Sequence, residues 1–207
     1  MTDSLHIIGS RTSGGAERFF ARLVTSLAQR SQCCAVTPPR SAVQKHFGPA
    51  VPRVELSMRG IWDLWARRKI RALVKARRPS IVQTWMGRAT RLTHLPARCE
   101  SVHVARLGGY YNLKGYQHAH AWVGNTQGIC DYLVKEGLPA SRVYHIGNFY
   151  EPQTPAQDFG DGTFREALGI TAEAAVVLTT GRLHANKGFP DLLACISKTP
   201  EEINGRP

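Results

Sequence analysis

Short apolar runs alternate with longer stretches of helical period along most of this chain. Leu5-His6-Ile7-Ile8 reads as a buried strand. Over residues 16–30, Phe19, Phe20, Leu23, Val24, Leu27 and Ala28 form the apolar stripe of an amphipathic helix. Residues 33–36 predict a second strand, ended by Pro38-Pro39-Arg40, and residues 51–56 a third. Residues 59–78 predict a helix closed by Pro79. Residues 80–85, 101–105, 121–124 and 142–146 read as further strands. Between the last two, Asn125 or Thr126 can cap a helix running to about Glu136, which Gly137 and Pro139 terminate. Strands alternating with helices predict an α/β fold, a parallel sheet wrapped by helices. Ligands of such sheets bind beyond the carboxyl ends of the strands. The loops at residues 9–15 and 106–114, and those at Asn125 and Asn148, each follow a strand and are expected on one rim.

The pattern breaks over residues 151–162, where Pro152, Pro155, Gly160 and Gly162 mark a linker. Residues 1–150 are therefore read as one domain and residues 163–207 as the start of another. The second stretch predicts a helix at 164–168, a buried strand at 174–179, a loop at 181–188 and a helix at 189–197. One strand is too little for an independent α/β core, so the chain is expected to be the front part of a longer protein.

Charge adds to this picture. The formal net charge is +12 and the isoelectric point is near 10.0, which implies an anionic partner. Residues 59–78 hold eight basic residues and one acid, over half of that net charge. At helical spacing Arg67, Arg68, Arg71, Lys75 and Arg78 share one face, opposite Trp62, Ala66, Ile70, Leu73 and Val74. A solvated basic face is the plain reading. The functional one is a face that meets anionic lipid headgroups or another polyanion, with Trp62 and Trp65 as interfacial anchors. No apolar run reaches the ~20 residues needed to span a bilayer. The N-terminus lacks a basic segment followed by an apolar one, so no secretory signal is read. Five cysteines without a C-x-x-C pair predict reduced, mostly buried thiols in a cytoplasmic protein.

Two glycines give the first loop its candidate chemistry. Gly14 and Gly15 carry no Cβ, so their backbone can take positive φ and approach a ligand. The helix beyond them presents free N–H groups suited to a phosphate or carboxylate. A tight turn without a ligand explains the same residues equally well. Neither the dinucleotide nor the P-loop fingerprint is met. The later loop, with Arg106, Tyr110, Tyr111 and Lys114, can line a polar pocket in which tyrosines stack on sugars or bases. Two other classes fit less well. A nucleic-acid-binding α/β protein would use the same basic face, but the chain has no helix-turn-helix, zinc spacing or ribonucleoprotein motif. An NAD enzyme lacks its G-x-G-x-x-G and an acid ending the second strand near Val36.

Three stretches in order resemble family 4 glycosyltransferases. Gly14-Gly15-Ala16-Glu17-Arg18 is similar to their opening. Asn125-Thr126 with Glu136-Gly137-Leu138-Pro139 and residues 142–148 is similar to the end of their N-terminal domain. Residues 181–188, from Gly181-Arg182 to Lys187-Gly188, are similar to the start of their C-terminal domain. Residues 106–111 resemble bacterial members that build lipopolysaccharide and related surface glycans. The resemblance implies the GT-B architecture, a Rossmann-like N-terminal domain on the acceptor side and an incomplete second Rossmann-like domain for nucleotide-sugar. It implies transfer of a sugar from a nucleotide-sugar donor to a glycan or lipid-linked acceptor, with retention, no cofactor and no metal. Arg182 and Lys187, with Gly14 and Gly15, would then face the donor phosphates. Arg106, Tyr110, Tyr111, Lys114, Asn125 and Asn148 would line the acceptor side, with the protein cytoplasmic or peripheral on the inner membrane. Many relatives have a histidine after the strand that here ends at Ala105. This chain has Arg106-Leu107-Gly108-Gly109 there, and that role is not assigned to His103. The family's late acidic pair falls beyond the chain end, so the 207 residues are expected to be inactive by themselves.

Overall fold

A computed structural model of the protein describes residues 3–96, 98–149, 165–171, 173–181 and 183–199. The chain divides into two units, residues 1–150 and 151–207, each described by itself.

The first unit is built on seven parallel strands: β1 (Ser4–Ile8), β2 (Cys33–Thr37), β3 (Arg53–Glu55), β4 (Ile81–Trp85), β5 (Val102–Leu107), β6 (Ala121–Gly124) and β7 (Val143–His145). Their order is β3-β2-β1-β4-β5-β6-β7. The direction of winding reverses between β1 and β4, which creates the topological switch point where such sheets leave a crevice. Every residue of β1 and β2 is buried, as expected of central parallel strands covered on both faces. Their side chains divide by alternation. Leu5, Ile7, Cys34 and Val36 pack with Val82, Met58 and the helix α2 (Leu64–Arg77). Ile8, Cys33 and Ala35 pack on the other face with Phe19, Phe20 and Val24 of α1 (Gly15–Ala28). Burying a side chain such as Phe20 is worth about 1.5–3 kcal/mol. A third cluster joins Ala105 and Leu107 to Ile129 and Leu133 of α4 (Gln127–Lys135), whose cap is the Thr126 hydroxyl accepting from the Ile129 N–H at 3.3 Å.

Two helices of this unit differ from the sequence reading. The helix expected over residues 59–78 begins only at Leu64. Asp63 caps it, accepting from the Ala66 N–H at 2.9 Å and, through its other oxygen, from the Arg59 N–H at 3.0 Å. Trp62 therefore precedes the helix and is 79% exposed, not part of its apolar face. Ala66, Ile70 and Val74 are the residues that face the core. Arg67 also leaves the expected basic face. It is half-buried, and its Nη2 donates to the Ile61 and Arg91 carbonyls at 3.4 and 3.2 Å. The second difference is an omission: Trp85 runs directly into a short helix, α3 (Met86–Leu92). Met86 turns the chain with φ of +66°, a left-handed conformation rare for a side chain of that size.

In the second unit, residues 165–167 are helical, Ala185–Lys187 form a 3₁₀ turn and α5 spans Phe189–Ile196. The buried strand expected over residues 174–179 is not formed. Val177 and Leu178 stand 75% and 74% exposed. An apolar run becomes a strand only against a neighbour that takes up its N–H and C=O groups, and no other strand is present among the described residues of this unit.

Candidate functional site

The carboxyl ends of β1, β4, β5, β6 and β7 carry most of the chemistry. At the switch point, Arg88 of α3 spans the crevice. Its Nη1 donates to the Gly9 carbonyl at 3.1 Å and to the Met58 carbonyl at 3.4 Å. Beneath α3 runs a buried chain of polar groups. Thr90 donates to the Met86 carbonyl at 3.0 Å, Thr84 lies 3.0 Å from Thr90, and His103 Nε2 lies 2.9 Å from Thr84. With the Thr90 proton committed to Met86, Thr84 donates to Thr90 and His103 donates to Thr84. This chain helps hold Met86 in its left-handed turn. His103 is fully buried, and burial, then the neighbouring His118, His120 and His94, push its pKa down to about 3. It sits under the rim as a neutral strut.

The first loop differs from its sequence expectation. Neither Gly14 nor Gly15 takes positive φ; Gly14 is extended at −131°, −166°. The missing Cβ instead makes room for Glu17, whose Oε2 would lie 2.9 Å from a Cβ at Gly14. That carboxylate accepts from the Gly14 N–H at 3.1 Å, from Ser10 Oγ at 2.6 Å and from Thr12 Oγ1 at 3.3 Å. Glu17 is itself buried. The loop thus brings its own anion to the helix N-terminus and leaves the following first-turn amides to any ligand.

Arg106 closes the opposite side. It is the fifth residue of β5 rather than the start of a loop, and it is buried. Its Nη2 donates to the Ile146 carbonyl at 2.8 Å and to Asn148 Oδ1 at 3.0 Å. Its guanidinium lies 4.9 Å from the Phe19 ring centroid and 5.1 Å from that of Trp85. Burial lowers its pKa to about 10, so it stays charged at neutral pH. Two predicted residues, Arg106 and Asn148, are therefore bonded to each other and tie β5 to the segment after β7. Asn125, at the end of β6, keeps its Oδ1 buried without a hydrogen-bond partner, and Trp85 Nε1 is in the same position. Each is a polar atom that a bound ligand could satisfy. Tyr110 and Tyr111 are exposed and pack edge-on against Tyr132 and parallel to Tyr116, respectively. Lys114 is exposed in the same segment, one 3₁₀ turn spanning Leu113–Gly115.

Lys187 is exposed in the 3₁₀ turn of the second unit, while Arg182 lies outside the described residues. The basic stretch of α2 leaves Arg68, Arg71, Lys75 and Arg78 in solvent. At its start Trp62, Leu64 and Trp65 are all exposed, the last with Lys69 Nζ 3.8 Å above its ring. No helix among the described residues is long and apolar enough to cross a membrane. Among those residues no group of three His, Cys, Asp or Glu is placed to hold a metal ion. The cysteines are free thiols: Cys33, Cys34 and Cys130 buried, Cys99 half-buried, Cys195 exposed.

Residues missed by sequence reasoning are Arg88, Arg91 and Glu17. The first two sit on α3, whose seven residues are too few to show a helical period. Glu17 was visible as the acid three places after a capping position, the usual pattern for a side chain that reaches back to the helix start.

Comparison with known proteins fits this frame. The family model described as "Glycosyltransferase Family 4" matches residues 13–154. The lipopolysaccharide core biosynthesis glycosyltransferase LpsE of Rhizobium meliloti is 29% identical over 196 residues, 90% of this chain and 54% of that protein. LpsD of the same organism is 26% identical over 191 residues, again 90% of this chain and 53% of that protein. The chain thus spans about half the length of the curated relatives it matches. The crystal structure of Anabaena HepE in complex with UDP superposes with a TM-score of 0.72 at 16% identity, over 97% of this chain and 58% of that one.

Proposed function

Because the chain belongs to glycosyltransferase family 4, we propose that it serves an enzyme activity that moves a sugar from a nucleotide-sugar onto a growing lipopolysaccharide or related surface glycan. The observation that carries this reading is the family match over residues 13–154, which takes in α3 and its Arg88 at the switch point between β1 and β4. The two lipopolysaccharide core glycosyltransferases among its relatives suggest the pathway class. The UDP held by HepE makes a uridine diphosphate sugar the first donor to try.

The chemistry such a reaction asks of this chain is modest. A nucleoside diphosphate gains negative charge as its bond to the sugar breaks, and cations with oriented amides stabilise it. Arg182, Lys187 and the α1 amides beyond Gly14 and Gly15 are the groups proposed for that task, without a metal or cofactor. Arg106, Asn125 and Asn148 with the tyrosines 110 and 111 and Lys114 are proposed for the acceptor side. Retention at the anomeric carbon is the expected stereochemistry. In the assay, the chain extended to the length of its curated relatives is offered UDP-, GDP- and ADP-sugars with a core oligosaccharide acceptor, and product configuration is read by NMR. Transfer from one of them is expected; no transfer from any would sink the reading.

A membrane partner is favoured by a separate observation. Trp62, Leu64 and Trp65 stand out together beside Arg68, Lys69, Arg71 and Lys75, an apolar tip on a cationic strip. Aromatic residues seat at the bilayer interface, and each nearby cation adds about 1 kcal/mol on an anionic leaflet. This surface would bring the protein to the inner face of a membrane carrying its acceptor. Sedimentation with vesicles should show binding to anionic lipid and little to neutral lipid.

A further inference from the structure

A groove runs from the crevice along the flank of α3. It comprises two cavities of about 420 and 400 Å³ that share Ile61, Arg91 and Asn112. The first opens at Met86 and Arg88, at the carboxyl end of β4. The second ends at His94 and His118, with Trp62 among its lining residues. Together the walls hold Arg67, Arg88, Arg91 and Lys114, and no carboxylate among the described residues lines either cavity. Arg67 Nε is buried without a hydrogen-bond partner. Four cations gathered without an anion repel one another, and a buried N–H left unsatisfied costs about 1–3 kcal/mol. Both penalties fall when an anion enters.

The histidines form a stacked pair. Their rings lie 3.8 Å apart at 15°. The pair is oriented by the backbone: His94 Nε2 lies 3.1 Å from the Arg91 carbonyl, and His118 Nε2 lies 2.9 and 3.0 Å from the Thr90 and Thr93 carbonyls. Carbonyls only accept, so both Nε2 atoms carry protons and Nδ1 is the atom that titrates. Burial lowers both pKa values, followed for His94 by the charge of His118 and then of Arg67. The groups bearing on the pair are Arg67 and Arg71 from α2, His103 from β5 and His120 ahead of β6. All are cationic or neutral, so in the free protein only the Arg91, Thr90 and Thr93 carbonyls favour a charged imidazole, and no anionic group bears on the pair.

We propose that this groove recognises the acceptor through an anionic substituent, a phosphate or carboxylate on a sugar ring, held among Arg67, Arg91 and Lys114 with the His94–His118 pair at its end. The proposal rests on the transferase reading for the word acceptor, and on the groove alone for the ligand's chemistry. Guanidinium groups bind such oxyanions through paired N–H donors, and the exposed Trp62 indole offers a face for the sugar ring. Bound anion supplies the negative charge that the histidines lack, so it raises their proton affinity, and by linkage binding tightens as pH falls.

The test is calorimetric titration of the 207-residue chain with glucose 6-phosphate, glucuronate, methyl glucoside and inorganic phosphate. One charged sugar should bind, and bind tighter at about pH 6 than at about pH 8, while the neutral glucoside should not. Preference for glucose 6-phosphate assigns phosphate as the group recognised, and preference for glucuronate assigns carboxylate. Lys114→Gln, at an exposed position, should weaken binding about tenfold with an unchanged circular dichroism spectrum. His94→Gln should flatten the pH dependence. Equal binding of the neutral glucoside, inorganic phosphate bound as tightly as the sugar, no binding of either charged sugar, or full affinity in Lys114→Gln would each overturn the proposal. The transferase reading fails separately, through the extended chain's inability to transfer sugar. Anion binding without transfer would leave the groove assigned, and transfer to a neutral acceptor without anion binding would remove the groove alone.

Discussion

The loop after β1 and the groove beside α3 both lie at the carboxyl end of the sheet, yet they treat charge in opposite ways. The loop carries a buried acid, Glu17, bonded to Gly14 N–H, Ser10 and Thr12. The groove collects Arg67, Arg88, Arg91 and Lys114 with no acid among its described lining residues. A polar site that satisfies itself is rigid and ready-shaped; one left with unmatched charge is completed by what it binds. The loop thus reads as a positioned wall and the groove as a place for an anion.

The largest effect expected of a single substitution breaks the brace between β5 and the segment after β7. Arg106 bonds to the Ile146 carbonyl and Asn148 from beneath Phe19 and Trp85. Arg106→Ala leaves a buried hole and an unpaired carbonyl, and should cost about 3 kcal/mol of stability in urea titration. Arg106→Lys keeps the charge but not the planar fork and should cost less. A loss below about 1 kcal/mol in the alanine variant would mean that the segment after β7 is held without it.

The response to acid, summed over pH, reads the sheet beneath both regions through its buried histidines. His6 in β1 is held near pKa 4 by burial, and His103 in β5 near 3. Above about pH 6.5 both folded and unfolded chains carry these rings neutral, and they contribute no slope. Below it the unfolded chain binds protons that the folded one refuses. Stability should fall as pH drops from about 6.5 toward 4, by at most about 1.4 kcal/mol per pH unit for each ring. His6→Gln should remove part of that slope and His103→Gln another part. A flat profile across that window would show that the rings reach solvent in the folded state.

A smaller effect sharpens the contrast in charge. Glu17→Ala removes the acid from the first loop and should cost about 1 kcal/mol, the size of a lost helix cap. The same change should make the loop respond to inorganic phosphate, seen as a rise in melting temperature that the parent chain shows less. If the variant gains nothing from phosphate, the α1 amides are not an anion site even when vacated.

How much of this was legible in the sequence follows from what each feature depends on. Strands β1, β2, β4 and β6 were readable because central parallel strands are apolar on both faces. Short α3 was not, since Met86–Leu92 makes under two turns and owes its shape to the buried Thr90–Thr84–His103 chain. The start of α2 was misplaced because Asp63 was counted as a charge rather than as a cap. At the site, Arg106 and Asn148 were picked out one by one, but their mutual bond joins residues 42 positions apart and no local pattern reports it. The apolar run at 174–179 teaches the converse. Its composition suits a buried strand as well as that of β4 does, and without a neighbouring strand among the described residues Val177 and Leu178 stay in solvent.

The smallest effect on stability should carry a large effect on location. Leu64 and Trp65 are 74% and 68% exposed, and neither belongs to a core cluster among the described residues. Replacing both with serine should change stability by no more than about 0.5 kcal/mol. It should nonetheless weaken binding to anionic vesicles, because each apolar side chain withdrawn from the interface forfeits its burial. The groove provides the internal control: glucose 6-phosphate or glucuronate should bind the double variant as it binds the parent chain. Vesicle binding unchanged in the variant would place membrane attraction on the cations and Trp62, whereas loss of sugar-anion binding would show that Leu64 and Trp65 also serve the groove that Trp62 lines. Raising the salt separates these cases further, since headgroup attraction is screened within about 10 Å at 0.1 M salt and burial of the indole is not.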